Sequence, residues 1–326
     1  MLFTFGGTPD WASPNGPRTS YEDGSRASPP DNLDEWEAVV RAVSSRYRSR
    51  IQAYELWVMA PSPQYFTGSA ATLAAMTTRA SAVLRTTDPG ATVVCPSMGE
   101  LWKPESRGFL TEFAALGGYR DCDVAGVKLH PQDFRQAPET IVELTTLIDR
   151  TFHDAGIHPR IWSTGTTYRI ASADRLDEQT ARDYAVRLFL VTLYAQYDRM
   201  YFYNWGGSKL PIVLQAEGGP PTAAARDVAQ LQTWLTGAKI YACGHGVADG
   251  LPANAWRCRF QVPGTPGEPV VDADITWTDS GSASVPVTRA GVVRHLDGQV
   301  EDIRPGGQRK LTGSPTMALY AAADAR

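Results

Sequence analysis

The chain alternates short apolar or β-branched runs with longer stretches whose apolar residues recur at helical spacing. This restricts it to folds in which helices cover a parallel sheet. The strand-like runs are 2–5, 53–58, 92–95, 124–130, 160–163 and 200–203. Between them, Trp36, Val39, Val40, Val43 and Tyr47 mark one helix face, introduced by Asn32 and Glu35 in a capping-box-like arrangement. Ala181, Tyr184, Ala185, Leu188, Val191 and Ala195 mark another, and Thr222 is placed to cap a helix running through Trp234 that Gly237 ends. Several strand ends carry polar or aromatic residues, as the catalytic face of a (β/α) barrel does. A doubly wound sheet is the competing arrangement, but Pro9 interrupts the Gly-rich turn at Phe5-Gly6-Gly7-Thr8 that would signal it.

The texture changes after residue 238. Pro, Gly, Thr and Val dominate there, and 270–277, 284–288, 291–295 and 316–320 read as short strands between turns. The expected division is therefore a barrel over 1–238 and a small antiparallel β-sandwich over 239–326. The 31 basic and 35 acidic residues leave a net charge of -4 with no block of either sign, which argues against a nucleic-acid partner. No apolar run reaches the roughly 18 residues of a spanning helix, so no membrane partner is expected. The N-terminus has no basic region followed by an apolar stretch, which makes the cytoplasm the expected compartment.

Cys95 and Cys122 belong to no paired-cysteine motif, whereas Cys243 and Cys258 bracket a loop whose ends can meet in a disulfide. His245 beside Cys243 does not complete a zinc site, and neither metal nor cofactor is expected.

Five strand-end segments stand in a telling order: F-G-G-T-P-D-W-A-S, Y-E-L-W with S-P-Q-Y-F-T-G-S, K-L-H-P, W-S-T-G-T-T-Y and Y-F-Y-N-W. Together they resemble the clan A retaining glycoside hydrolases of the β-xylosidase and α-iduronidase type. The resemblance implies a TIM barrel carrying a β-sandwich, and W-T-D-S-G with the closing L-T-G-S-P resembles that sandwich. It spans nearly the whole chain. It also implies that 2–5 is the third barrel strand, so that two βα units would precede it or the barrel is incomplete. An incomplete barrel exposes strand edges and helix faces, from which a homodimer is expected.

The resemblance exposes two departures. Where the family's fourth strand ends W-N-E-P with the acid/base Glu, this chain reads Trp57-Val58-Met59-Ala60. Where the family's seventh strand ends Trp-x-Thr-Glu with the nucleophile, Trp162-Ser163-Thr164 is followed by Gly165. A retaining mechanism needs two carboxyl groups about 5–5.5 Å apart. A thioether and a bare backbone supply neither. A divergent member without hydrolytic chemistry is therefore expected, a pseudo-glycosidase reused for cyclisation, isomerisation or transfer on a small organic or glycosylated substrate in bacterial biosynthesis. A carbohydrate-binding or scaffold protein is the alternative, and a glycosidase with a relocated carboxylate such as Glu217 or Glu100 is a third.

The remaining candidate acid/base groups are His130, Tyr168 and Glu217. The candidate ligand-binding residues are Asp10, Trp11, Trp57, Met59, Gly165, Asn204 and Trp205, each weighed against a bland reading as turn, core or surface. Glu55 shares strand parity with Trp57 and Met59, so all three are expected to face one side. On the next strand but one, Lys128 is the expected partner that neutralises a buried Glu55.

Overall fold

The computed structural model describes residues 1–21, 23–133, 135–168, 175–203, 206, 210–263 and 270–320. Asn204 and Trp205 lie outside the described residues.

Six strands form in the order the sequence predicts: β1 (Leu2–Thr4), β2 (Ala53–Glu55), β3 (Thr92–Val94), β4 (Ala125–Leu129), β5 (Ile161–Thr166) and β6 (Arg199–Phe202). Strands β1, β2 and β3 pair in parallel, as do β4 and β5, and β6 adjoins β5. Parallel bridges from Val94 to Val124 and from Met98 to Val127 join the two halves. Strand order thus follows chain order, as successive crossovers of one hand require. The crossovers include α1 (Leu33–Arg46), α2 (Ala70–Thr87), α3 (Pro104–Ala115), α4 (Ile141–Asp154) and α5 (Glu178–Tyr194); α6 (Ala223–Leu235) follows β6.

Helix starts follow local chemistry. Asn32 caps α1 by accepting from the Asp34 N–H at 2.9 Å, and Thr222 caps α6 by accepting from the Ala225 N–H at 3.2 Å. Gly237 (φ 73°) ends the turn beyond α6 in a conformation costly for other residues.

Side-chain parity sets what the sheet encloses. Ala53, Val94, Val124 and Trp162 form one buried cluster, with Leu2 and Tyr201 packed against it. Each of the six strands thus sends a side chain, from within it or from the residue beside it, to one apolar layer. The opposite face carries Phe3, Tyr54 and Phe5, whose rings meet edge-on or stacked, and Phe5 meets Trp36 of α1 at 5.2 Å.

The switch to an all-β texture falls at β7 (Lys239–His245). With β8 (Ala255–Val262), β9 (Val271–Thr278), β11 (Gly291–Arg294), β12 (Val300–Ile303) and β14 (Thr316–Tyr320) it builds an antiparallel sheet in the order β12-β11-β14-β9-β8-β7. Strands β10 (Ala283–Pro286) and β13 (Gln308–Leu311) pair separately.

By contact density the chain forms two compact units: 1–129 with 143–166 and 197–201, and 130–142 with 167–196 and 202–326. Inside the second, Glu139 is buried and receives the Arg187 Nε–H at 2.8 Å and the Trp277 indole N–H at 2.7 Å, while a second Arg187 N–H bonds its other oxygen. This fully satisfied buried pair joins α5 to the sheet within that unit.

Two disulfides are present, Cys95–Cys122 and Cys243–Cys258. The first corrects the reading of Cys95 and Cys122 as solitary. Cys95 directly follows β3 and Cys122 leads into β4. Parallel pairing aligns them, with the Cys95 N–H donating to Val124 O at 2.9 Å. The second joins directly opposed residues of β7 and β8. No helix is long and apolar enough to cross a membrane, and no metal-binding cluster of His, Cys, Asp or Glu occurs among the described residues.

Candidate functional site

In parallel sheets of this kind, side chains at the carboxyl ends of the strands are where ligands are met. One step above the apolar layer, toward those ends, the first unit carries a polar one. Thr4 and Thr164 each donate a hydroxyl to the Glu55 carboxylate at 2.6 Å, one to each oxygen. Lys128 Nζ lies 3.2 Å from the nearer Glu55 oxygen, and it also donates to Thr164 O at 2.8 Å and Thr164 Oγ1 at 2.9 Å. The Glu55 side chain is 0% exposed and that of Lys128 13%. The ammonium's hydrogen bonds are thus spent on Glu55 and Thr164, and the carboxylate is saturated. The expected Glu55–Lys128 pairing is present. Thr4 and Thr164 complete it, and their signal in the sequence was parity: Thr4 is two residues from Leu2, and Thr164 two from Trp162.

Gly165 meets this group directly. A Cβ placed there would stand 3.0 Å from Lys128 Cδ and 3.5 Å from its Nζ. The Lys128 stem therefore occupies the space into which a side chain at 165 would grow. Met59 holds a left-handed conformation (φ 52°), with its N–H 3.2 Å from Ser97 Oγ. Its thioether lies over Gly99, where a Cβ would come within 2.2 Å of the sulfur. Glu100, next along, also has positive φ (53°), and its carboxylate pairs with Lys103 at 2.8 Å. Two non-glycine residues in this costly region at adjoining strand ends mark a place where the surroundings dictate the backbone.

The expectation that Glu55, Trp57 and Met59 share one face is corrected. The β2 ladder ends at Glu55, and the Trp57 ring turns to the helix-covered side. There it meets Trp36 at 5.9 Å and Phe66 at 5.6 Å and donates its N–H to Tyr65 O. Trp57 is 2% exposed and is core. Asp10 and Trp11 stand in the long loop after β1, both exposed, Trp11 to 68%. That loop is tied to itself by Thr8–Arg26 backbone bonds and by the Ser13–Ser28 and Ser13–Asp31 contacts, which hold Trp11 outward on a firm base.

The other candidates belong to the second unit. His130 is half-buried with Nδ1 2.9 Å from Pro131 O. Tyr168 is 1% exposed; its hydroxyl donates to Gln136 O at 2.8 Å and its ring stacks on Tyr184. Burial pushes its phenol far above the ordinary value, so it holds its proton firmly across physiological pH. Glu217 is exposed in the turn closed by the Gly219 N–H to Ala216 O bond, where its carboxylate is open to solvent. Of the three candidate acid/base groups, Glu217 is exposed and His130 half-buried, whereas the Tyr168 hydroxyl is buried and bonded to Gln136 O.

Comparison with known proteins bears on the fold. The chain is similar to a family 39 glycoside hydrolase from Bacteroides cellulosilyticus WH2 (TM-score 0.68, 15% identity, 98% of this chain and 67% of that one). It is also similar to a glucosidase from Croceicoccus marinus (TM-score 0.60, 14% identity, 91% and 76%). A third similar structure is a family 39 β-xylosidase from Caulobacter crescentus (TM-score 0.61, 10% identity, 98% and 79%). No protein-family profile matches the chain, and no curated protein does. At such identities the likeness establishes a TIM-barrel-like α/β fold with a sheet-rich region, as in glycoside hydrolases, and leaves activity to be argued from the residues.

Proposed function

We propose that this chain is a glycoside-hydrolase-like barrel that has left double-displacement hydrolysis and serves non-hydrolytic chemistry, such as cyclisation, isomerisation or transfer, on a small organic or glycosylated ligand. The observation that carries the proposal is the fate of position 165. The residue is a glycine, and the space beside it is filled by Lys128, whose ammonium is committed to Glu55 and Thr164. Glu55 is fully buried and saturated, so it cannot attack a sugar carbon. Met59 supplies no proton. Without one carboxyl to attack and another to protonate, the retaining route has no reagents.

His130 and Glu217 are then the groups with access for proton transfer, and Trp11 offers an exposed indole to a ring face. A carbohydrate-binding protein without turnover is the second reading, favoured by that outward Trp11. A homodimer remains part of the proposal. Two disulfides favour an oxidising compartment over the expected cytoplasm.

The test is a panel of aryl glycosides assayed with purified protein beside His130→Ala and Glu217→Ala. Release at the uncatalysed rate by all three supports the proposal. Turnover that one substitution abolishes identifies a relocated catalytic group and overturns it.

A further inference from the structure

The parallel strands of the first unit fall into two sets, β1-β2-β3 and β4-β5-β6, and the joint between them is irregular. The isolated bridges Val94–Val124 and Met98–Val127 cross it. Between them the chain from Cys95 to Ser97 leaves the ladder, and Gly126 passes so near that a Cβ there would stand 3.0 Å from Cys95 O. The Cys95–Cys122 disulfide closes this joint. Beside it the Cys95 N–H donates to Val124 O at 2.9 Å and the Asp123 N–H to Val93 O at 2.8 Å. Further along, the backbone N–H of Lys128 donates to Met98 O at 2.9 Å, so the same joint carries the lysine that faces Glu55.

The two sulfurs are unequally placed. Cys95 is 0% exposed, whereas Cys122 is half-buried and forms part of the wall of a cavity of about 450 Å³. Every residue lining that cavity belongs to the first unit. Ala114, Val124, Ile157 and Pro159 give it an apolar surface, and Arg120 and His158 line it as well. The carboxylate among the lining residues, Asp123, is held by Arg85 at 2.8 and 3.1 Å and by the Val93 N–H at 2.7 Å. With Asp123 offset by Arg85, the lining carries the positive charge of Arg120. Gly118 O lies 3.3 Å from Cys95 Sγ and 3.8 Å from Cys122 Sγ. A disulfide has no proton to give that carbonyl, but a thiol has.

A thiolate attacks a disulfide at the sulfur it can reach. Here the reachable sulfur is that of Cys122, and its approach is through a cavity that attracts negative charge. We propose that Cys122 is the point of entry for a small thiol bearing carboxylates, and that the Cys95–Cys122 disulfide is an exchangeable clasp on the joint between β3 and β4. The incoming thiolate bonds to Cys122 Sγ as the bond to Cys95 breaks. The electron pair leaves on Cys95 Sγ, which takes a proton from water and donates the new S–H to Gly118 O. A second small thiol, attacking the sulfur of the first, leaves with it as an external disulfide, and Cys122 is protonated in turn. Two small thiols are oxidised and one protein disulfide is reduced, whatever the barrel does to a sugar.

The test exposes the whole folded chain to reduced glutathione, whose carboxylates outnumber its ammonium, and separately to cationic cysteamine. Acid quenches the exchange, peptide mass mapping locates the adducts, and each rate is divided by that thiol's rate with a small open-chain disulfide. A glutathione adduct is expected on Cys122 with Cys95 as a thiol, at a normalised rate about tenfold or more above that of cysteamine. Added salt should narrow the gap. Arg120→Ala, which removes an exposed side chain, should melt as the parent does and react about fivefold or more slowly with glutathione while keeping its rate with cysteamine. The comparison of the two thiols on the parent stands without that variant. In the opened protein, amide hydrogen exchange should quicken across 92–98 and 124–129, while 255–262 in the other unit keeps its protection. Adducts mapped to Cys95, or to Cys243 or Cys258 in preference to Cys122, would overturn the proposal. So would the absence of exchange, equal normalised rates for the two thiols, or unaltered protection across the joint.

Discussion

Glu55, fully buried, and Lys128, mostly buried, face each other, and the balance of that pair decides what the polar layer is for. Removing one partner strands the other charge in the interior, at a cost of about 3–5 kcal/mol, whereas replacing both by apolar groups of similar volume can be nearly neutral. Lys128→Met is therefore expected to destabilise the protein by that amount in urea titrations, and Glu55→Leu with Lys128→Met to recover most of it. The same geometry bears on position 165. A Gly165→Glu side chain would grow against the Lys128 stem, so it would have to shift Lys128 from its place against Glu55 and Thr164. Equal instability of the single and double variants would show that the pair is not the unit it is taken to be.

Among the elements, the Cys95–Cys122 disulfide ties the end of β3 to the start of β4 across a separation of 27 residues. Opening it with Cys95→Ala and Cys122→Ala together should cost about 2–4 kcal/mol, read as a lower urea midpoint than the parent's. The sequence did not foretell that bond, because its ends meet through parallel pairing and no short spacing encodes such contacts. Strands β2, β3, β4 and β5 were legible for the opposite reason: they are largely buried and so read as short, mostly β-branched or apolar runs. Strands β12 and β13, with the sequences V-E-D-I and Q-R-K-L, are short, charged and largely exposed, and give no such signal. Strand β8 does alternate, with Trp256, Cys258, Phe260 and Val262 on one side, and a period-two reading recovers it. That Met59 and Gly165 carry no carboxylate was legible from residue identity alone. The turning of Trp57 away from the Glu55 face was not, because the ladder ends at Glu55 and parity fails beyond it.

For the molecule as a whole, both units keep phenols out of water. Burial, with the Asp88 carboxylate beside it, pushes Tyr54 up to about 12, and burial together with Asp274 does the same for Tyr320. Burial raises Tyr119, Tyr168 and Tyr197 further. Such groups hold their protons in the folded state at pH values where the unfolded chain, with phenols near 10, releases them. The unfolded state therefore gains as pH rises past about 10, and stability falls from there toward and beyond 12. Alkaline titration followed at 295 nm should show these phenols ionising together with loss of circular dichroism, after the exposed ones. Ionisation of all tyrosines near 10 without unfolding would contradict that arrangement.

The central claim, that no carboxylate of this chain attacks a sugar, is tested most directly by intact-protein mass measurement after incubation with activated 2-deoxy-2-fluoro glycosides of xylose, glucose and related sugars. These reagents trap a glycosyl-enzyme wherever a nucleophilic carboxylate exists. The account predicts an unchanged mass with every reagent. A stoichiometric adduct mapped to Glu217, Glu100 or any other carboxylate would contradict it and make the protein a working retaining glycosidase.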